Sequence, residues 1–189
     1  MKRLRLLAVL LALLGASSCS RHERSDDCAP SERVVDPVLL AFLSQARSAH
    51  HVADQQEAAG DSAAALRALQ ALVAAAQPPG AAPEVGEVLA DTRARMGDLL
   101  SRSGRFDQAD AEISEGLTKA KDPTYFRGHL LEVKGLVEER RAKALTSTGR
   151  GAEAEKARER SLAAYEEAMK IQAEVIQQAA PAASGGPHP

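Results

Sequence analysis

Residues 90–123 read ADTRARMGDLLSRSGRFDQADAEISEGLTKAKDP, and these 34 residues decide the fold. Met96, Leu99 and Leu100 fall on one face of a first helix that stops at Ser103-Gly104. Phe106, Ala109, Ile113 and Leu117 recur at helical spacing in a second helix that stops at Asp122-Pro123. Apolar residues three and four apart form a stripe on a helix, and a Gly between two such stripes marks a reversal. The stretch is thus predicted to be an antiparallel helical hairpin hinged at Gly104. One hairpin cannot bury its own apolar face, so its neighbours in the chain are expected to stack on it.

The same residues resemble the tetratricopeptide repeat. That pattern sets a large residue and Gly in the first helix, an aromatic three further on, Ala and then an aromatic in the second helix, and a closing Pro. Met96-Gly97, Leu100, Ala109, Ile113 and Pro123 occupy those places, with Gly104 at the turn. The departures are Leu100 and Ile113 in place of aromatics, and Gly116 in place of a second Ala. The resemblance implies a binding scaffold rather than an enzyme, with the first helix of each hairpin lining a concave groove.

Outward from this core, the chain repeats the architecture. Asp36-Pro37 opens a helix as N-cap and first-turn Pro. Its stripe is Leu39, Phe42, Leu43, Ala46, Ala49 and Ala53, and it ends near Gly60. A second helix carries Leu66, Leu69, Leu72 and Val73 up to Pro78-Pro79-Gly80. The middle hairpin's first helix is expected to begin at Pro83, before the 34-residue window. Asp122-Pro123 reads as cap and first-turn Pro of a fifth helix, which Gly149-Arg150-Gly151 breaks. The sixth, about 152–178, places Ala154, Ala157, Leu162, Tyr165, Met169, Ile171, Val175 and Ile176 on its apolar side and is expected to cap the stack. The hinges Gly60, Gly104 and Gly149 lie 44 and 45 residues apart. The expected fold is all-α, three tandem hairpins at about 36–78, 83–121 and 123–178, forming a short right-handed solenoid of the tetratricopeptide type.

The ends read differently. Residues 1–18, MKRLRLLAVLLALLGASS, combine a basic start, an apolar run and small residues, the signature of a secretory signal. Ala16-Ser17-Ser18-Cys19 resembles a bacterial lipobox, with Ala16 where Leu is usual, and implies lipidation of Cys19. Ordinary cleavage after Ser18 is the alternative. Acyl chains contribute roughly 0.8 kcal/mol per buried CH₂, so a lipidated Cys19 would anchor the chain stably. Ser20 rather than Asp after the cysteine points to the outer membrane. Residues 19–35 form a polar tether, and 179–189 a disordered tail. Cys28 is either a spare thiol or, if Cys19 is free, its disulfide partner.

Composition narrows the function further. The leader takes Lys2, Arg3 and Arg5 with it, leaving 21 of the 24 basic residues against 26 acidic ones, a net charge of −5. Aromatics make up 3% and no basic stripe is present, which argues against nucleic-acid binding. No phosphate loop, dinucleotide glycine pattern, nucleophile elbow or zinc-protease helix occurs, so no catalytic residue and no cofactor is expected. His50 and Asp54 share a helix face at i,i+4, and with Arg47 they form the alternative reading, a small-ligand or metal site. Glu138-Glu139-Arg140-Arg141 reads as a solvated helix face with i,i+3 pairs.

Aligned on the hinge glycines, the repeat resemblance implies groove residues Asp91, Asp98, Ser101 and Arg102 in the middle hairpin. It implies Arg47, His50, Asp54 and Glu57 in the first, and Glu139 and Lys143 in the third. The set lacks the Lys/Arg clamp that captures a peptide carboxylate. The reading is an exported, lipid-anchored, non-catalytic interaction protein of the bacterial envelope that binds a protein partner in its groove.

Overall fold

The computed structural model describes residues 36–80 and 82–179. The leader, Cys19, Cys28, the tether and residues 180–189 lie outside the described residues. Six helices follow in order: α1 Pro37–Ala58, α2 Ser62–Ala74, α3 Pro83–Arg102, α4 Phe106–Lys119, α5 Tyr125–Ser147 and α6 Gly151–Ala179. They pair as α1/α2, α3/α4 and α5/α6. Helix α3 packs on both members of the first pair, and α5 on both members of the second. Each new hairpin therefore enters by lodging its first helix in the groove of the preceding pair.

The three hinges are built alike. Gly60, Gly104 and Gly149 have φ of +81°, +73° and +75°, a region that only Gly enters freely. The N–H of the next residue (Asp61, Arg105, Arg150) donates to the carbonyl of Gln56, Leu100 or Leu145 at 2.8, 3.0 and 2.9 Å. This is the glycine-terminated helix end in which late carbonyls find donors. The same three residues then open the next helix, their carbonyls accepting from Ala65, Ala109 and Ala154. A single residue closes one helix and begins its partner, so the reversal is tight.

Tight reversal brings backbones close, and small residues recur where they meet. Five residues past each hinge stands a fully buried Ala: Ala65, Ala109 and Ala154. Seven before it stand Ala53, Gly97 and Ala142, and fourteen before it Ala46, Ala90 and Gly135, all buried. Two helical turns separate these seams, which keeps them on one face. A methyl at Gly97 would fall 2.8 Å from Cγ1 of Ile113, and one at Gly135 would fall 2.8 Å from the Tyr165 ring. Gly116 faces Leu130 in the same way, at 2.8 Å, so its departure from Ala makes room for α5. Ile113 is 1% exposed, as the repeat pattern implies, within a core that joins Leu66, Leu69, Met96, Leu99, Leu130 and Val137 from all three hairpins.

Three expectations are corrected. Helix α5 begins at Tyr125, two residues after Pro123, and its N-cap is Thr124, whose hydroxyl accepts from the Arg127 N–H. Helix α6 buries Ala154, Ala157, Ser161, Ala164 and Ala168, while Leu162, Met169 and Ile176 face solvent. Gly128 and Gly135 of α5 make room for larger side chains of α6, Ile171 and Gln172 at the first and the Tyr165 ring at the second. Glu138 belongs to no solvated face, being 3% exposed between α5 and α6.

Candidate functional site

The first helices of the three hairpins are tied together by a repeated arginine. Arg95, nine residues before the second hinge, reaches back to α1. Its guanidinium donates to Asp54 Oδ1 at 2.6 Å and to Glu57 Oε1 at 2.5 Å. Arg140, nine residues before the third hinge, reaches back to α3 in the same way. It donates to Asp98 Oδ1 at 2.7 Å and to the Ser101 hydroxyl at 2.6 Å. The acceptors stand six and three residues before the preceding hinge in both cases. Charge-assisted hydrogen bonds to two acceptors per guanidinium fix orientation as well as distance. The rungs thus set how one hairpin sits on the next. Burial works against the Glu57 carboxylate, but its hydrogen bonds to Arg95 and Arg102 win and hold its pKa below the usual value.

Beside the rungs lies a hollow of about 490 Å³, open on the face that α1, α3 and α5 share. Its floor is Ala94, Val133, Leu136 and the Tyr165 ring. Its rim is mostly acidic and imidazole: His50, Asp91, Asp98, His129 and Glu132, with Arg95 at one side. Arg95 and Asp98 are committed to the rungs. His129 stands 4.0 Å from Asp91 and 3.7 Å from Glu132, and among the described residues no arginine or lysine pairs with either carboxylate.

His50 is held in one tautomer. The Thr92 hydroxyl donates to the Val88 carbonyl at 2.7 Å, which leaves its oxygen to accept from His50 Nε2–H at 2.9 Å. Nδ1 then faces Arg95 Nη1 at 3.4 Å as an acceptor. Burial depresses the His50 pKa, and Arg95 depresses it further against the opposing pull of Asp91 and Asp54. The imidazole is neutral at pH 7 and serves as a polar strut between α1 and α3.

The expected groove residues divide into four groups. His50, Asp91 and Asp98 line the hollow. Asp54, Glu57, Ser101 and Arg102 belong to the rungs, with Ser101 only 2% exposed and Arg102 bound to Glu57 Oε2 at 2.5 Å. Glu139 pairs with Lys143 at 2.6 Å on the outer turn of α5, and its Oε2 lies 3.4 Å from the Tyr165 hydroxyl. Arg47 is exposed and lines no part of the hollow. The alternative reading required His50 and Asp54 to share a ligand, and the guanidinium of Arg95 lies against both. Among the described residues no group of three His, Cys, Asp or Glu side chains is placed to hold a metal ion.

Arg95 and Arg140 were not read from the sequence as rungs, Arg140 standing only in a charge run; His129 and Glu132 were not singled out, and Tyr165 was read only as an apolar residue of the sixth helix. Counting from the hinge glycines would have found the first two, since both stand at the same offset. A second constellation was read from the sequence only as i,i+3 pairs on a solvated helix face. Glu138 receives Arg160 at 2.7 Å and lies 3.5 Å from Arg141, which reaches over the Phe106 ring to Asp107 and Asp110. Burial raises the Asp110 pKa against the attraction of Arg141. These ion pairs bind the hinge ends of the second and third hairpins together.

The chain matches no protein-family model, no curated protein and no solved structure.

Proposed function

We infer that the chain is an exported, lipid-anchored interaction module with a tetratricopeptide-like right-handed stack, presenting its shared first-helix face to a segment of an envelope protein. The observation that carries this reading is the repeated arginine rung. Two successive hairpin steps use the same donor offset and the same acceptor offsets, as a tandem array requires. Such a stack aligns α1, α3 and α5 on one surface, and the hollow there combines an apolar floor with uncompensated carboxylates. A partner segment that inserts a lysine or arginine would lay its methylenes on Leu136 and Tyr165 and bring its charge to Asp91 and Glu132. Helix-in-groove or extended-segment docking of this kind needs no catalytic group. Lipidation at Cys19 would hold the module at the outer membrane.

The test is crosslinking and affinity capture from envelope membranes of cells expressing the tagged full chain. A specific partner retained by the parent and by Arg67→Glu on exposed α2, but lost with Asp91→Lys or Glu132→Lys, supports the reading. Retention by all variants places binding elsewhere and overturns it. Fatty-acid labelling that persists in Cys19→Ser would refute the anchor.

A further inference from the structure

Helix α6 leaves one stripe uncovered. Leu162, Met169 and Ile176 are 63%, 61% and 69% exposed, more than any other large apolar side chain among the described residues. They recur every seven residues, so at 3.6 residues per turn they drift by only about 40° and form a continuous strip. Helix α6 packs against α5 alone among the described helices. Residues 180–189, APAASGGPHP, offer the strip no large apolar side chain. A helix with such a seam finds its complement in another helix with the same seam.

We propose that two copies of this chain associate through an antiparallel α6–α6 pair centred on Met169. Antiparallel pairing about a two-fold axis sets Met169 against its own copy and Leu162 against Ile176 at both ends, so the strip is self-complementary. Charge agrees with this arrangement. The ion pairs of α6 use Glu153, Glu155, Arg158, Arg160 and Glu167; of its other charges, which have none among the described residues, Glu166 and Lys170 stand nearest Met169. Both lie on one flank of the strip. Glu166 stands about 4.5 Å before Met169 along the axis and Lys170 about 1.5 Å after it. The two-fold therefore brings each Glu166 to within about one turn of Lys170 of the second copy, on the same side of the seam. A parallel pair would instead set the Glu166 and Lys170 of the two copies on opposite flanks of the seam, out of reach of one another.

The test uses the full chain with Cys19→Ser and Cys28→Ser, so that no native thiol links copies. Sedimentation velocity from about 1 to 100 µM should give a mass of two chains, and Met169→Glu should weaken association at least ten-fold with unchanged helical circular dichroism. Glu166→Lys or Lys170→Glu alone should weaken it, and the double exchange should restore it. In the same background, Met169→Cys should self-link on mild oxidation. Leu162→Cys should not, because its copy lies about 21 Å away along the axis. A single-chain mass throughout overturns the proposal, as does a dimer indifferent to Met169→Glu. Self-linking of Leu162→Cys overturns the antiparallel arrangement.

Discussion

The seam between α3 and α4 turns on one contact, Ile113 against the bare backbone of Gly97, and a double-mutant cycle reads it directly. Ile113 is 1% exposed, so Ile113→Ala removes a fully buried side chain and should cost about 2–5 kcal/mol. The cavity it leaves adjoins Gly97, where a methyl would sit 2.8 Å from Ile113 Cγ1 and 2.9 Å from its Cδ1. Gly97→Ala alone gains helix propensity, about 1 kcal/mol, and incurs an overpacking cost of about 1–3 kcal/mol. Its net effect is small because the two oppose. Combined, the new methyl enters the space Ile113 vacated, which relieves the clash and refills roughly one CH₃ of volume. The double variant should therefore be more stable than the sum of the singles by about 1–3 kcal/mol. Urea unfolding followed at 222 nm on all four proteins measures this. Additivity within 0.3 kcal/mol would refute the claim that these backbones touch through Ile113.

The arginine rungs, the neutral histidine and the hinges each yield a further expectation. Arg140→Ala should cost about 1–2 kcal/mol, discounted for the partial solvent access of the rung, and the cost should shrink when Asp98 is already Ala; equal costs in both backgrounds would dissolve the rung. The folded His50 pKa lies below its unfolded value of 6.5, so the unfolded chain takes up the proton first and stability falls as pH drops through that value. Urea unfolding at pH 7.5, 6.5 and 5.5 should show a steeper loss in the parent than in His50→Gln, and parallel slopes would count against a depressed His50. At the third hinge, Gly149→Ala forces a side chain into φ +75° and should cost about 1–2 kcal/mol, whereas Gly151→Ala, in open space at a right-handed position, should be neutral or mildly stabilising. Thermal unfolding of the pair checks this, and equal effects would deny the hinge its special role.

Much of the helical frame was legible in the sequence by itself. Gly60, Gly104 and Gly149 mark the three reversals, Asp36-Pro37 and Pro83 open helices, and Ile113 is buried where the repeat pattern sets it. These signals are local: a cap, a left-handed glycine and an apolar period each act within about five residues, so the residues that cause them are adjacent in the text. Pro123 shows the limit of even local reasoning, since the cap is Thr124 and the helix starts at Tyr125, two residues after that proline.

The residues that the repeat resemblance assigns to a groove lie on α1, α3 and α5, and of them only His50, Asp91 and Asp98 line the hollow. Asp54, Glu57 and Ser101 are consumed by Arg95 and Arg140, partners about 40 residues away whose reach depends on how hairpins nest. Glu138 and α6 make the same point from opposite sides. A glutamate in a run of charges is buried because Arg160 and Arg141 meet it there, and Leu162, Met169 and Ile176 are exposed because α6 turns its alanine face, Ala154, Ala157, Ala164 and Ala168, to α5. Periodicity identifies that a helix has a large-apolar face and a small-residue face. Which of the two is buried depends on how closely the neighbouring helix can approach, and that distance is a property of two elements together, decided only in the tertiary structure.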